Sequence, residues 1–166
     1  DTLLEAMRKY VGASPLWIVG TGPEERDLKV MAEGLDERVK FLGYKSGEEL
    51  QQIMRQSKAL ILPSLWYENM PYVMLEALGA GKPVIASRLG GVIERIQDGV
   101  NGYLFESGNA RDLAEKMLCL DNADKEALSR NAFASVADLS SDAYRKKLEE
   151  IYFSISQENK NHPVDG

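Results

Sequence analysis

Five short apolar runs recur along the chain at intervals of roughly twenty residues: Leu16 to Val19, Val39 to Leu42, Ala59 to Leu62, Pro83 to Ala86 and Tyr103 to Phe105. Between them, apolar residues return at helical spacing. A strand that is apolar at nearly every position is buried on both faces, and that happens in a parallel sheet covered by helices. The alternation predicts an α/β domain with a parallel sheet. Right-handed crossovers then put the C-terminal ends of the strands on one edge, where ligands of such sheets bind. Four loops fall on that edge: Gly20-Thr21-Gly22-Pro23, Gly43-Tyr44-Lys45, Ser64 to Met70, and Ser87 to Gly91.

The helices are legible from spacing and punctuation. Leu3, Leu4, Met7, Tyr10 and Val11 share a helical face before Gly12 and Pro15. Pro23 opens a second helix that runs to about Gly34, with Glu24 and Glu25 suited to its dipole. Ser46 and Glu49 form a capping-box pattern ahead of Leu50, Ile53 and Met54. Further helices are expected from Pro71 to Ala80, around Val92 to Ile96, from Asn109 to Leu120 and from Lys125 to Val136. A last one starts at Ser140 or Ser141 and carries Tyr144, Leu148, Ile151, Tyr152 and Ile155 as a stripe. Residues 1–157 read as one domain; residues 158–166, which hold His162, read as a polar, disordered tail.

Composition closes several routes. The net charge of −6 and the absence of a basic stripe argue against nucleic-acid binding. One histidine and one cysteine leave no material for a zinc site or a histidine-based triad. Cys119, in a helical pattern after Met117 and Leu118, reads as a buried structural thiol. No apolar run approaches the ~18 residues of a membrane helix, and no signal-peptide pattern opens the sequence. The expected setting is reducing and cytoplasmic, peripheral to the inner membrane in the full-length protein.

Trp66 to Pro83 concentrates the chemistry. Glu68 and Glu76 stand with seven residues between them, on either side of the helix start at Pro71. The amides of Asn69, Met70, Tyr72 and Val73 are candidates for an anion site, because the first turn of a helix leaves N–H groups without partners. An ordinary solvated helix start is the plain alternative. Glu76 lies among apolar neighbours; it reads as an acceptor for two vicinal hydroxyls or as a surface acid paired with a Lys or Arg. Glu68, taken alone, reads as a solvated loop acid ahead of a site carboxylate. Gly20 and Gly22 mark a tight strand-to-helix turn that lacks the third glycine of a dinucleotide fingerprint.

Taken in order, L-W-I-V-G-T-G-P-E, V-K-F-L-G, A-L-I-L-P-S-x-x-x-E-N-M-P, G-A-G-K-P-V-I-A-S-x-x-G-G-x-x-E and D-G-x-N-G-Y-L-F resemble the C-terminal, donor-binding domain of GT-B glycosyltransferases of family 4, the retaining group 1 class. The resemblance covers nearly the whole chain. It implies a Rossmann-like parallel sheet, the C-terminal half of a GT-B fold with its first strand missing. By family pattern Glu76 holds the ribose hydroxyls of a UDP- or GDP-sugar, and Glu68, the candidate catalytic residue, lies against the donor sugar. Asn69, Met70, Pro71 and Tyr72 hold the sugar and diphosphate, Tyr44 and Lys45 lie beside the base, and Gly20 and Gly22 border the site. No bound metal or other cofactor is implied, and Glu68 is not a nucleophile.

The implied reaction moves a hexose from the nucleotide-sugar to a glycan or lipid-linked acceptor, as in polysaccharide biosynthesis. The acceptor binds chiefly to an N-terminal domain absent from this sequence, so the fragment is expected to be inactive alone. Two alternatives share the fold: a non-catalytic nucleotide-binding or assembly module, and a sugar-nucleotide epimerase, for which the chain offers no suitable histidine.

Overall fold

Every residue of β4 (Val84–Ser87) is buried, and so is every residue of β5 (Gly102–Phe105). These strands lie in a parallel sheet with β3 (Leu60–Leu62), in the order β3-β4-β5, with Leu60 opposite Val84 and Ile85 opposite Tyr103. Because side chains alternate across a strand, each strand feeds two cores. Ile61, Ile85, Tyr103 and Phe105 enter one, together with Leu4 and Met7 of α1 (Thr2–Lys9) and Leu113 and Met117 of α6 (Ala110–Asn122). Leu60, Leu62, Val84, Ala86 and Leu104 enter the other, with Met54 of α3 (Gly47–Gln56), Met74 and Leu78 of α4 (Tyr72–Gly79) and Ala132 of α7 (Lys125–Ala134). Full burial of a side chain such as Phe105 contributes about 1.5–3 kcal/mol.

β1 (Leu16–Val19) and β2 (Val39–Gly43) form a second parallel sheet, covered by α2 (Glu25–Met31) on the α1 face. The single sheet expected from the sequence is thus two half-sheets. Between β1 and β3 runs a cavity of about 640 Å³. Its walls are Leu16 to Val19 on one side and Leu60 to Leu62 on the other. The chain steps from β1 through α2 to β2 in one direction, and from β3 through α4 to β4 in the other, on the opposite face.

The structure, a computed structural model, describes all residues except Asp36, Ser140 and 162–166; the side chains of Ser141, Tyr144 and 154–161 also lie outside the described set. The last helix, α8 (Ser141–Asn161), follows a short 3₁₀ turn at Ala137–Leu139. It therefore takes in part of the stretch expected as a tail, whose remainder, with His162, lies outside the described residues. On α8, Ile151, Tyr152 and Phe153 are exposed.

Three local expectations are corrected. Ser46 is the N-cap of α3 but makes no side-chain cap bond, and Glu49, the other half of the expected box, pairs with Lys45 instead of reaching back. Cys119 is exposed, since α6 turns Leu113, Ala114, Met117 and Leu120 inward and leaves position 119 on the outer face. Val11 is 85% exposed, because α1 stops at Lys9 and the chain turns extended at Tyr10.

Candidate functional site

Helix α4 begins at the C-terminal edge of β3, after the loop from Pro63 to Pro71. Pro71 is its N-cap, with extended backbone, and no side chain caps the first turn. Proline leaves one fewer amide to satisfy, and the N–H groups of the first turn keep their capacity for an anion. The positive end of the helix dipole adds roughly 0.3–2 kcal/mol for a negative charge held there. The inner face of α4 is fixed by Met74, Ala77 and Leu78, which are fully buried.

The outer face carries Tyr72, 84% exposed, and Glu76, also exposed. Four residues apart, they share one side of the helix and lie about 6 Å apart along its axis. Among the described residues the Glu76 carboxylate makes no hydrogen bond or ion pair. That removes the paired surface acid as an account of it and leaves both carboxylate oxygens open.

Glu68 is half-buried, and Ser64 Oγ donates to its Oε1 at 3.2 Å. The loop that carries it is tied down from two sides. Ser107 Oγ donates to the Ser64 carbonyl at 3.2 Å, and the Gly91 amide donates to the Glu68 carbonyl at 3.0 Å. Sequence reasoning passed over Ser64, Ser107 and Gly91 as site residues; the G-G pair in the quoted pattern was the one available signal for Gly91.

Gly20 (φ +122°), at the end of β1, borders the mouth of the β1–β3 cavity with Tyr44, Lys45, Leu62 and Val73 of the first turn of α4. Tyr44 is 73% exposed and Lys45 is paired with Glu49. Met70 packs partly buried against the α4 core, and Asn69 is exposed. Gly22 does not join this group; it lies on an open groove along α2, with Pro23, Arg26 and Lys29. Among the described residues no cluster of His, Cys, Asp or Glu could hold a metal ion, and no helix is long and apolar enough to cross a membrane.

A parallel sheet flanked by helices on both faces, matching about 44% of a larger GT-B chain, is a half-domain of the GT-B fold. The chain belongs to the glycosyl transferases of group 1, whose family model matches residues 1–122. It is 31% identical over 156 residues to N-acetyl-alpha-D-glucosaminyl L-malate synthase of Bacillus anthracis, covering 90% of this chain and 40% of that protein. It is 31% identical over 129 residues to the amylovoran biosynthesis glycosyltransferase AmsK of Erwinia amylovora, covering 74% of this chain and 32% of that protein. Among solved structures it is similar to Anabaena Alr3699/HepE in complex with UDP, with a TM-score of 0.79 and 27% identity, over 92% of this chain and 44% of that one. The same Anabaena protein has also been solved with UDP-glucose. The chain thus spans less than half the length of these relatives.

Proposed function

We propose that this chain is the donor-binding half of a retaining glycosyltransferase that takes a hexose from a UDP- or GDP-sugar. The observation that carries the reading is the uncapped first turn of α4, set between Glu68 and an unpaired Glu76 on the strand-end edge. Glu76 accepts from the two ribose hydroxyls. The first-turn amides at Tyr72 and Val73, with Asn69 and Met70 before them, receive the diphosphate and the sugar. Tyr44 and Lys45 flank the base at the cavity mouth.

Sugar transfer leaves a nucleoside diphosphate whose charge grows as the glycosidic bond breaks. The α4 amides and dipole stabilise that charge without reorganising, which lowers the barrier by electrostatic preorganisation. Glu68 faces the sugar near the reacting carbon and orients it; no covalent glycosyl-enzyme step is assigned to it. The glycan or lipid-linked acceptor binds an N-terminal domain, so the 166 residues alone bind donor but do not turn over. Two relatives, an N-acetyl-alpha-D-glucosaminyl L-malate synthase and an amylovoran biosynthesis glycosyltransferase, support transfer to small or polymeric acceptors as the class.

Titration of the chain with UDP, GDP and UDP-glucose, read by calorimetry and amide resonances, tests this. Saturable shifts at Tyr44, Tyr72 and Glu76 with at least one of these ligands are expected. Their absence with all three overturns the reading.

A further inference from the structure

The Leu89–Gly91 loop leaves β4 and closes over the backbone of Glu68 and Asn69. Its root is fixed: the Arg88 amide donates to the Phe105 carbonyl at 2.8 Å, which carries the β4–β5 ladder one residue past Ser87. Its far end is fixed by the start of α5 (Val92–Arg95), where Val92 is buried. Between these anchors Gly90 takes the left-handed conformation, φ +58°. A side chain at Gly90 has no room: its Cβ would overlap the Glu68 carbonyl oxygen and stand 3.1 Å from the Glu68 amide nitrogen. A Cβ at Gly91 would overlap the Asn69 carbonyl oxygen and stand 2.8 Å from the carbon that carries it. The obstacles are main-chain atoms, which have no rotamer to escape into. The two loops touch because neither glycine has a side chain, and the Gly91 amide bonds to the Glu68 carbonyl at the point of contact.

We propose that Gly90 and Gly91 are positioning residues that set the height and direction of Glu68 relative to the start of α4. The proposal deepens the reading above and rests on Glu68 facing the donor sugar. The strap touches the loop before Pro71 and leaves α4 and Glu76 alone, so displacing it changes how the sugar is met and spares the ribose contact. UDP, which lacks the transferred glucose, reports the second; UDP-glucose reports both.

The test compares the chain with Gly90→Ala, Gly91→Ala, Glu68→Gln and the Gly91→Ala/Glu68→Gln double variant. Without ligand, the amide resonances of Glu68 and Asn69 are expected to move in both alanine variants, while those of Leu4, Met7 and Leu113 stay. With ligand, each single variant is expected to weaken UDP-glucose about tenfold or more and to weaken UDP, which shares the diphosphate contact but not the glucose contact, clearly less. The double variant should lose no more than either single one, because both changes remove the same contact. Unmoved Glu68 and Asn69 resonances in a folded variant overturn the proposal, and so does equal loss for UDP and UDP-glucose. If the unaltered chain binds none of UDP, GDP and UDP-glucose, the functional reading fails, and the resonances still decide the strap. Should alanine at position 91 prevent folding, one glycine inserted between Gly90 and Gly91 lengthens the strap without adding a Cβ and is read in the same way.

Discussion

Tyr10, at the end of α1, donates its hydroxyl to Asp121, which lies 111 residues further along on α6. Ser14 Oγ donates to the other carboxylate oxygen at 2.9 Å, and the Lys58 ammonium stands 3.1 Å from it. The cluster joins α1, the β1 approach, the β3 approach and α6 at the strand-start end of the cavity. Burial by itself raises the Asp121 carboxyl, but the bonds from Tyr10, Ser14 and Lys58 and the charge of Lys58 outweigh it, so the acid is held below the usual carboxylate range. Burial and then the Asp121 bond push Tyr10 up.

The sign of the pH dependence follows. A depressed carboxyl contributes stability that is present above its unfolded value of about 3.9 and lost as pH falls through the lower folded value. Asp121→Asn is therefore expected to reduce stability at pH 7, and the gap is expected to narrow as pH falls below about 3.9. Tyr10 works the other way. Its contribution is present below about pH 10 and lost as pH rises beyond that. Urea unfolding of the chain and Asp121→Asn across pH 2–7 checks the acid side; a gap between them that stays as wide at the lowest pH would count against the cluster.

Glu76→Ala should lower affinity for UDP by about 1.5–3 kcal/mol, the worth of hydrogen bonds to a charged group. The residue is exposed on α4, so the melting temperature should stay nearly the same. Calorimetric titration of both forms with UDP measures it, and unchanged affinity would remove Glu76 from the site.

Ser87 is 2% exposed and its Oγ has no hydrogen-bond partner among the described residues. A buried hydroxyl without a partner costs about 1–3 kcal/mol. Ser87→Ala is expected to leave stability unchanged or raise it. A clear loss in urea unfolding would mean that a bound water satisfies the hydroxyl.

Asn101, also 2% exposed, has the opposite character. Its Oδ1 accepts from the Gln97 amide and its Nδ2 donates to the Arg95 carbonyl, both at 2.8 Å, closing the turn between α5 and β5. Asn101→Ala leaves both main-chain groups unpaired and should cost about 1–3 kcal/mol. Asn101→Asp sets a buried carboxylate oxygen against the Arg95 carbonyl, so at pH 7 it should cost at least as much as alanine in the same experiment.

The strands were legible because a doubly covered strand writes its burial into every position, as Val84 to Ala86 and Leu60 to Leu62 do. Helix extents followed from apolar spacing and Asn109, whose side chain caps α6 through the Arg111 and Asp112 amides. Pairing was less legible: nothing local in Leu16 to Val19 says that its second edge has no described neighbour. The capping box did not form, and Lys45 holds Glu49 in a contact set by the loop geometry and not by the interval of three. Cys119 was misplaced because two apolar residues before it suggested an inward face, whereas the helix had already turned past its core at Met117. In the site, Glu68 and Glu76 stood out by spacing. The strap over Glu68 did not, since a glycine pair reads as a turn until a second segment is seen lying against it.

The outward residues of the site have a history of their own to play. Tyr44, Tyr72 and Glu76 are exposed and pack into neither core. Replacing them costs the fold little. At Gly90 and Gly91 any side chain meets main chain. Substitution is therefore cheap at the rim and costly at the strap.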